Sequence, residues 1–482
     1  MTFTGLWTLL PLIVLAVMAM VVMLVIAFHR QHLLTMLLTV GALALALISL
    51  PIVATSAPQQ VSMLLVIDSY ALFYMGLIFA ASAVVAVFAY IYLEGRQGQV
   101  EELYVLLLLA TIGAGALVSS THFASFFLGL ELLSVSLYGL IAYCHNCAPG
   151  IEAGVKYLVL AAVSSAFLLF GMALVYADLG TMEFATIAAL VAGGAAGATV
   201  LSVAGVAFVL VGIGYKLAVV PFHMWTPDVY QGASAPVTAF VATISKGAMF
   251  GLLLRFFAPA EISTYGSLYV AFLIIAIASM FFGNLLALLQ SNVKRILAYS
   301  SIAHLGYLLV AFLAGGSLGV VAATFYLVAY FVTTLGAFGI VTVLSDSERE
   351  AESIDDYRGL FWRRPWLAAT FTAMLLSLAG IPLTAGFFAK FFVATAGVGS
   401  SLWALVISLV VASTVGLYYY LRLAAVMYTR RPVEAEAFPP PAARPTYMGG
   451  AVLVFLVLLL LWFGVYPAPL IDFIRASVGG LS

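Results

Sequence analysis

Charge is what this sequence has least of. Only 8% of its 482 residues are Asp, Glu, Lys or Arg, where a soluble domain carries about 25%. That scarcity excludes an ordinary water-soluble protein. Cysteine is nearly missing as well, and two residues, Cys144 and Cys147, cannot build a disulfide framework. They stand in Cys144-His145-Asn146-Cys147 without the second Cys/His pair that zinc or an iron–sulfur cluster needs, so no function is assigned to them. The chain has no basic tail, and its formal charge of −1 gives no reason to expect nucleic acid as a partner. It has no P-loop, no dinucleotide-binding glycine motif on a strand and no pair of haem-ligating histidines. No cofactor, redox centre or metal is therefore expected in this chain itself. The segment Met1 to Trp7 lacks the positive region of a signal peptide, so the first apolar run is read as a retained span.

What fills the chain instead is apolar. Hydrophobic residues make up 65% and the mean hydropathy is +1.20. Runs of about 20 apolar residues are the length of a membrane-crossing helix, not of a barrel strand. The sequence reads as an all-α integral membrane protein with about fourteen spans: 7–28, 32–54, 70–93, 101–118, 121–143, 153–177, 200–221, 236–257, 266–290, 295–314, 319–344, 366–395, 401–428 and 447–466. The seventh runs into Pro221 and His223, and the twelfth carries Gly380-Ile381-Pro382 in its middle. Proline removes a helix donor and clashes with the preceding turn. Both helices are expected to break inside the membrane at Pro221 and Pro382, an ordinary proline kink being the alternative.

The irregular helices are five apart in order. Two blocks, helices 4–8 and 9–13, then form inverted five-helix repeats, because an odd number of spans reverses orientation. The expected domains are an N-terminal three-helix segment 1–100, the first repeat 101–257, the second repeat 258–428, and a linker with the last helix 429–482. The Ala/Gly-rich stretch 181–199 is a loop or short surface helix, and Pro439-Pro440-Pro441 marks the linker. The longest polar stretch, 345–364, joins the eleventh and twelfth helices. With both termini outside, the cytoplasmic loops receive Arg30, Arg96, Lys294, Arg295, Arg349, Arg358, Arg363, Arg364, Arg430, Arg431 and Arg444. Only Arg255 and Arg475 fall on the outer side, which is the bias the positive-inside rule demands.

Five ionisable residues interrupt the apolar stretches: Glu131, Lys156, Lys216, Lys246 and Lys390. Each costs roughly 2.5–3.5 kcal/mol on insertion scales, so an intramembrane charge is by default a functional residue. Glu131 has no polar neighbour along its own helix, and its partner must come from another one; Lys216 is the candidate. The alternative is a static pair that fixes packing, although desolvation offsets much of what such a pair gains. Lys216 sits among Gly212 and Gly214, Lys246 beside Ser245, and Lys390 after the second break. Lys156 has Glu152 one turn earlier, so it is either a relay or a partly solvated pair at a helix end. His304, near Tyr299 and Tyr307, is either a relay between Lys246 and Lys390 or a packing residue. His223 and Asp228 are read as capping the first break.

Several motifs resemble one family. The segment Val220-Pro221-Phe222-His223-Met224-Trp225-Thr226-Pro227-Asp228-Val229-Tyr230-Gln231-Gly232-Ala233 is similar to a signature of the antiporter-like membrane subunits of respiratory complex I. So are Phe127-Leu128-Gly129-Leu130-Glu131, the stretch from Lys294 to Tyr307, Leu378-Ala379-Gly380-Ile381-Pro382, and the segment from Gly416 to Arg422. The resemblance covers essentially the whole chain. It implies a proton-translocating subunit of NADH:quinone oxidoreductase, an enzyme subunit without its own redox centre. FMN, iron–sulfur clusters, NADH and quinone would be handled by other subunits. The family's proton-transfer positions fall on Glu131, Lys216, Lys246 and Lys390. The implied partners are adjacent antiporter-like and small membrane subunits and the lipid bilayer. The implied location is the bacterial inner membrane, with both termini periplasmic. With about 16 residues after its last span, the chain is expected to lack the long lateral helix of the family's largest member. The competing readings are a subunit of a multi-subunit cation/proton antiporter and a purely structural membrane subunit.

Overall fold

A bilayer offers no water to backbone N–H and C=O groups, so an apolar chain must close its hydrogen bonds within helices. The computed structural model describes residues 3–96, 98–144, 148–192, 199–259, 266–347, 349–430 and 447–479, and these are helical nearly throughout. The membrane helices are α1 (Leu10–Phe28), α2 (His32–Ala54), α3 (Ser69–Leu93), α4 (Glu102–Val118), α5 (Phe123–Ile141) and α6 (Ala148–Leu179). Then come α7a (Val200–Leu217), α7b (Trp225–Gly232), α8 (Ala235–Phe257), α9 (Ser267–Leu288), α10 (Val293–Ala314) and α11 (Gly316–Leu344). The last are α12a (Pro365–Ala379), α12b (Ala385–Gly399), α13 (Trp403–Tyr428) and α14 (Tyr447–Val465). Twelve of them are long and apolar enough to cross a membrane unaided. The shorter α4 and the two halves of the twelfth helix bring the architecture to the fourteen expected.

Both breaks are present, and both are built the same way. The α7a helix ends with Ala218 in the left-handed region at φ 59, where Val219 N–H reaches back to Gly214 O at 3.1 Å. The α12a helix ends with Gly380 at φ 87, where Ile381 N–H reaches Leu376 O at 3.0 Å. Each is a Schellman closure, which satisfies the last carbonyls of a helix that stops in mid-membrane. Pro221 and Pro382 lie in the turns that follow.

The loops repeat too. Phe123 N–H bonds Met182 O at 2.9 Å and Phe184 N–H bonds Thr121 O at 2.9 Å; Val293 N–H bonds Glu352 O at 2.6 Å and Ile354 N–H bonds Ser291 O at 3.0 Å. Every residue of the second pair stands 170 positions after its counterpart in the first. Consecutive helices alternate in direction, so the two ties sit at opposite faces of the molecule, as inverted repeats require.

Packing places α8, α10 and α11 at the centre. The α8 and α11 windows are wholly buried and that of α10 is 94% buried, against 28% for α1 and 33% for α6 and α14. The peripheral helices keep large apolar side chains exposed, among them Leu24, Phe170, Ile407 and Leu458, as a lipid-facing surface does. Near the end of α8, Arg255 makes a two-toothed ion pair with Asp68 (2.9 and 2.7 Å) and donates to Val118 O at 2.9 Å, tying the first three helices to the first repeat.

Other features went beyond the sequence reading. Residues 241–245 of α8 form a π-helix directly before Lys246. A two-stranded hairpin, β1 (Gln59–Gln60) with β2 (Val66–Ile67), links α2 to α3. An amphipathic helix, Ala468–Val478, follows α14. The stretch 181–199 contains a helix at Phe184–Ala192, as one of its two readings held. Residues 439–441, Arg431, Arg444 and the His145–Cys147 part of the cysteine motif lie outside the described residues.

Candidate functional site

Three of the five singled-out charges sit on the central side of the repeats, each held in the same manner. Lys216 is the penultimate residue of α7a and is 3% exposed. Its ammonium donates to Ser134 Oγ at 2.7 Å and to Tyr157 Oη at 2.8 Å. Lys246 opens the α-helical part of α8 after the π-helix and donates to Ser301 Oγ of α10 at 2.7 Å. Lys390, on α12b, donates to Ser413 Oγ at 2.7 Å and to Ala379 O at 2.8 Å. That carbonyl is available because α12a stops there and its last C=O groups have no helical partner. Each ammonium also lies 5.2 Å from a tyrosine ring centre: Tyr157, Tyr230 and Tyr307. Charge-assisted hydrogen bonds and a ring face offset part of the desolvation of a buried cation without a counter-ion.

Among the described residues none of these three lysines has an acidic group within 4.0 Å, including Glu131. The direct Glu131–Lys216 pair expected from the sequence is therefore absent. Glu131 accepts from Ser165 Oγ of α6 at 2.5 Å, so its partner does come from another helix. Lys216 has turned to Ser134, one turn along the helix that carries Glu131. A cavity of about 10 Å³ lined by Leu130, Ser134, Ser165 and Lys216 adjoins Lys216 and the serine that bonds Glu131. That is about the volume a single water needs, and its polar lining suits one.

Between Lys246 and Lys390 the interior is hydroxyl-rich. Ser301 accepts from Tyr330 Oη at 2.8 Å as well as from Lys246, and Tyr230 Oη lies 3.3 Å from it. His304, one turn further along α10, is bonded on both ring nitrogens: to Tyr326 Oη at 2.6 Å and to Tyr420 Oη at 3.2 Å. Tyr420 also bonds Ser300. A second cavity of about 10 Å³ is lined by His304, Tyr326, Tyr330, Ser377 and Gly386, reaching from the tyrosines to the break in the twelfth helix. His304 thus sits in a hydroxyl cluster one turn from Ser301, bonded to Tyr326 and Tyr420.

Four residues stand elsewhere. Lys156 is 44% exposed and pairs with Glu152 at 2.7 Å and Asp228 at 3.0 Å. It lies at the rim because α6 extends to Ala148, so its ammonium reaches past the apolar zone, and nothing bonds it to the central row. Lys294, counted with the loops, is 0% exposed. It falls in the first turn of α10, which the 345–364 connection covers. Asp228 does not cap the break but bridges Lys156 and Arg295, the latter at 2.8 Å. His223 is 7% exposed within the break.

The sequence reading missed the hydrogen-bond partners, Ser134, Ser165, Ser301, Ser413, Tyr157, Tyr326, Tyr330 and Tyr420. One signal for them was available: Tyr326 and Tyr330 are four apart on α11, hence on one helix face, and Thr333 and Thr334 extend that stripe. The pairing across helices had no signal in one sequence.

The chain's matches fit this geometry. The profile of the family described as NADH:quinone oxidoreductase/Mrp antiporter, transmembrane, matches residues 120–416. A protein named NADH-quinone oxidoreductase subunit N, from Nitrosospira multiformis, is 54% identical over 489 residues, covering 98% of this chain and 96% of that one. A chain of respiratory complex I from Thermus thermophilus, solved with bound aureothin, superposes with a TM-score of 0.81 at 32% identity, covering 96% of this chain and 98% of that one. A chain of the Mrp complex from Dietzia sp. reaches a TM-score of 0.86 at 22% identity, covering 100% and 98%, a likeness of fold.

Proposed function

The chain belongs to the NADH:quinone oxidoreductase/Mrp antiporter family of membrane subunits, in its subunit N group, and from that premise we propose that it moves protons across a bacterial inner membrane as part of NADH:quinone oxidoreductase. The direction is from the cytoplasm to the periplasmic side, where both termini lie. Quinone reduction in other subunits drives it, and neighbouring membrane subunits flank the chain. The naming of relatives at 54% identity favours this reading over a cation/proton antiporter subunit. The first repeat, 101–257, holds Glu131, Lys216 and Lys246, and the second, 258–428, holds His304 and Lys390.

The observation that carries the proposal is the row itself. Three ammonium groups, those of Lys216 and Lys246 buried and that of Lys390 partly so, lack counter-ions among the described residues and each face a hydroxyl and a ring. A cation held this way is stable only while nearby negative charge favours it. An opposite charge about 6 Å away is worth roughly 2–3 kcal/mol at an effective dielectric of 20, and one pKa unit is about 1.4 kcal/mol. Glu131 is the group that supplies this bias to Lys216 across the small cavity. When the carboxylate is neutralised or drawn away, Lys216 passes its proton inward. The proton continues through Lys246 and Ser301, then past Tyr330 and His304, toward Lys390. The return of the carboxylate reloads Lys216.

The test is Lys216→Ala in the assembled complex. Protons released per electron and coupled quinone reduction should both fall, by on the order of tenfold or more where transfer is the limiting step. An unchanged ratio of protons to electrons excludes this route.

A further inference from the structure

Lys294 and Glu350 form a buried ion pair that the proton row does not use. The Lys294 ammonium, with no exposed surface, donates to Glu350 Oε2 at 2.5 Å and to the carbonyl of Ala233 at 2.6 Å. The other oxygen of Glu350 accepts the N–H of Ala235 at 2.8 Å. Ala233 closes α7b and Ala235 opens α8, so one ion pair holds both ends of the joint between them. The next residue, Arg295, grips α7b itself, through Asp228 at 2.8 Å and Gln231 at 3.1 Å. From the other side Gly232 is pressed against α6: a Cβ there would lie 2.5 Å from Pro149 O and from Ala153 Cβ.

The joint leads straight to the row. Beyond Ala235, α8 passes through its π segment to Lys246, whose acceptor Ser301 sits on α10, the helix that carries Lys294. Seven residues, about 10 Å of helix, separate Lys294 from Ser301. The second repeat therefore holds α8 at two levels, by an ion pair at its start and by the Lys246 contact within. A lysine at a helix start can ordinarily reach water; burying it with a carboxylate gains little stability, and fixing register is the best-attested use of such a pair.

We propose that Lys294 and Glu350 are positioning residues that set the register of α8 against α10 and so bring Lys246 to Ser301. The inference rests on the proton-transfer reading above. A slip of an ångström in the joint moves the Lys246 ammonium out of hydrogen-bond reach, and misplacement of that size costs a transfer step on the order of a hundredfold.

The experiment compares assembled complexes carrying Glu350→Gln, Glu350→Asp and, as reference, Lys216→Ala. Glutamine keeps an acceptor for Ala235 N–H and removes only the charge facing Lys294; aspartate keeps the charge. The expected result has three parts. Glu350→Gln co-purifies with the other subunits, its protons released per electron drop several-fold, and amides between 233 and 246 exchange with solvent on the order of tenfold faster. Glu350→Asp recovers most of both readouts. Unchanged release and exchange in Glu350→Gln overturns the proposal, and so does loss of assembly in both variants, which would make the pair purely structural. Lys216→Ala leaves the joint untouched. If that variant alone keeps full proton release, the transfer reading fails while the exchange rates still judge the joint.

Discussion

A lysine, a serine hydroxyl and a tyrosine face recur together at Lys216, Lys246 and Lys390. The combination stabilises an ammonium modestly and leaves it free to discharge, which a close carboxylate would hinder. Ser301 joins three side chains, touching Lys246, Tyr230 and Tyr330. Ser301→Ala removes the Lys246 acceptor, a hydrogen bond to a charged group worth about 1.5–3 kcal/mol. Proton release per electron should fall in the assembled complex, with Ser301→Thr retaining more of it; equal behaviour of the alanine and threonine variants would remove Ser301 from the path. At this scale the sequence was legible where chemistry is rare. Glu131 and the three row lysines stand out because charge is costly in an apolar helix. Their hydrogen-bond partners do not, because serine and tyrosine are unremarkable in membrane helices. Lys294 was misplaced because proximity to Arg295 made it look like a loop residue, whereas the 345–364 connection folds over it.

Helices that stop in mid-membrane supply the row with backbone partners. Ala379 O is such a partner for Lys390. The second break depends on close approach at Gly386, whose N–H bonds Ser377 Oγ at 3.1 Å and where a Cβ would fall onto the Ser377 carbonyl. Overpacking of this kind costs about 1–3 kcal/mol. Gly386→Ala should lower the thermal midpoint of the complex and separate α12b from α12a, weakening proton release more than a control at the exposed Gly399, Gly399→Ala, where a Cβ would meet nothing closer than 4.0 Å. Both breaks were readable from Gly and Pro in otherwise helical runs. The π-helix before Lys246 was not, since Val241 to Ser245 are ordinary helix residues and only packing in the wholly buried α8 sets their turn.

The whole molecule is two opposed copies of one plan, visible in backbone ties that recur after 170 residues. From the sequence alone the repeat rested on helix order and two prolines; the side chains of the two halves have diverged, while the backbone bonds have not. They differ at the joints. Gly380 adopts its left-handed conformation freely, but Ala218, wholly buried, occupies the same region at φ 59, which costs an L-residue with a Cβ roughly 1–2 kcal/mol. That sum is of the same order as the electrostatic bias on Lys216, two residues away. The second break bears the same kind of tension one step later, at Leu383 with φ 72, in the turn ahead of the helix half that carries Lys390, so each repeat keeps a taut joint close to one of its lysines. Ala218→Gly should relax the first of these joints and raise the thermal midpoint of the complex, because glycine enters the left-handed region without a Cβ clash; an unchanged or lower midpoint would show that Ala218 stores no tension.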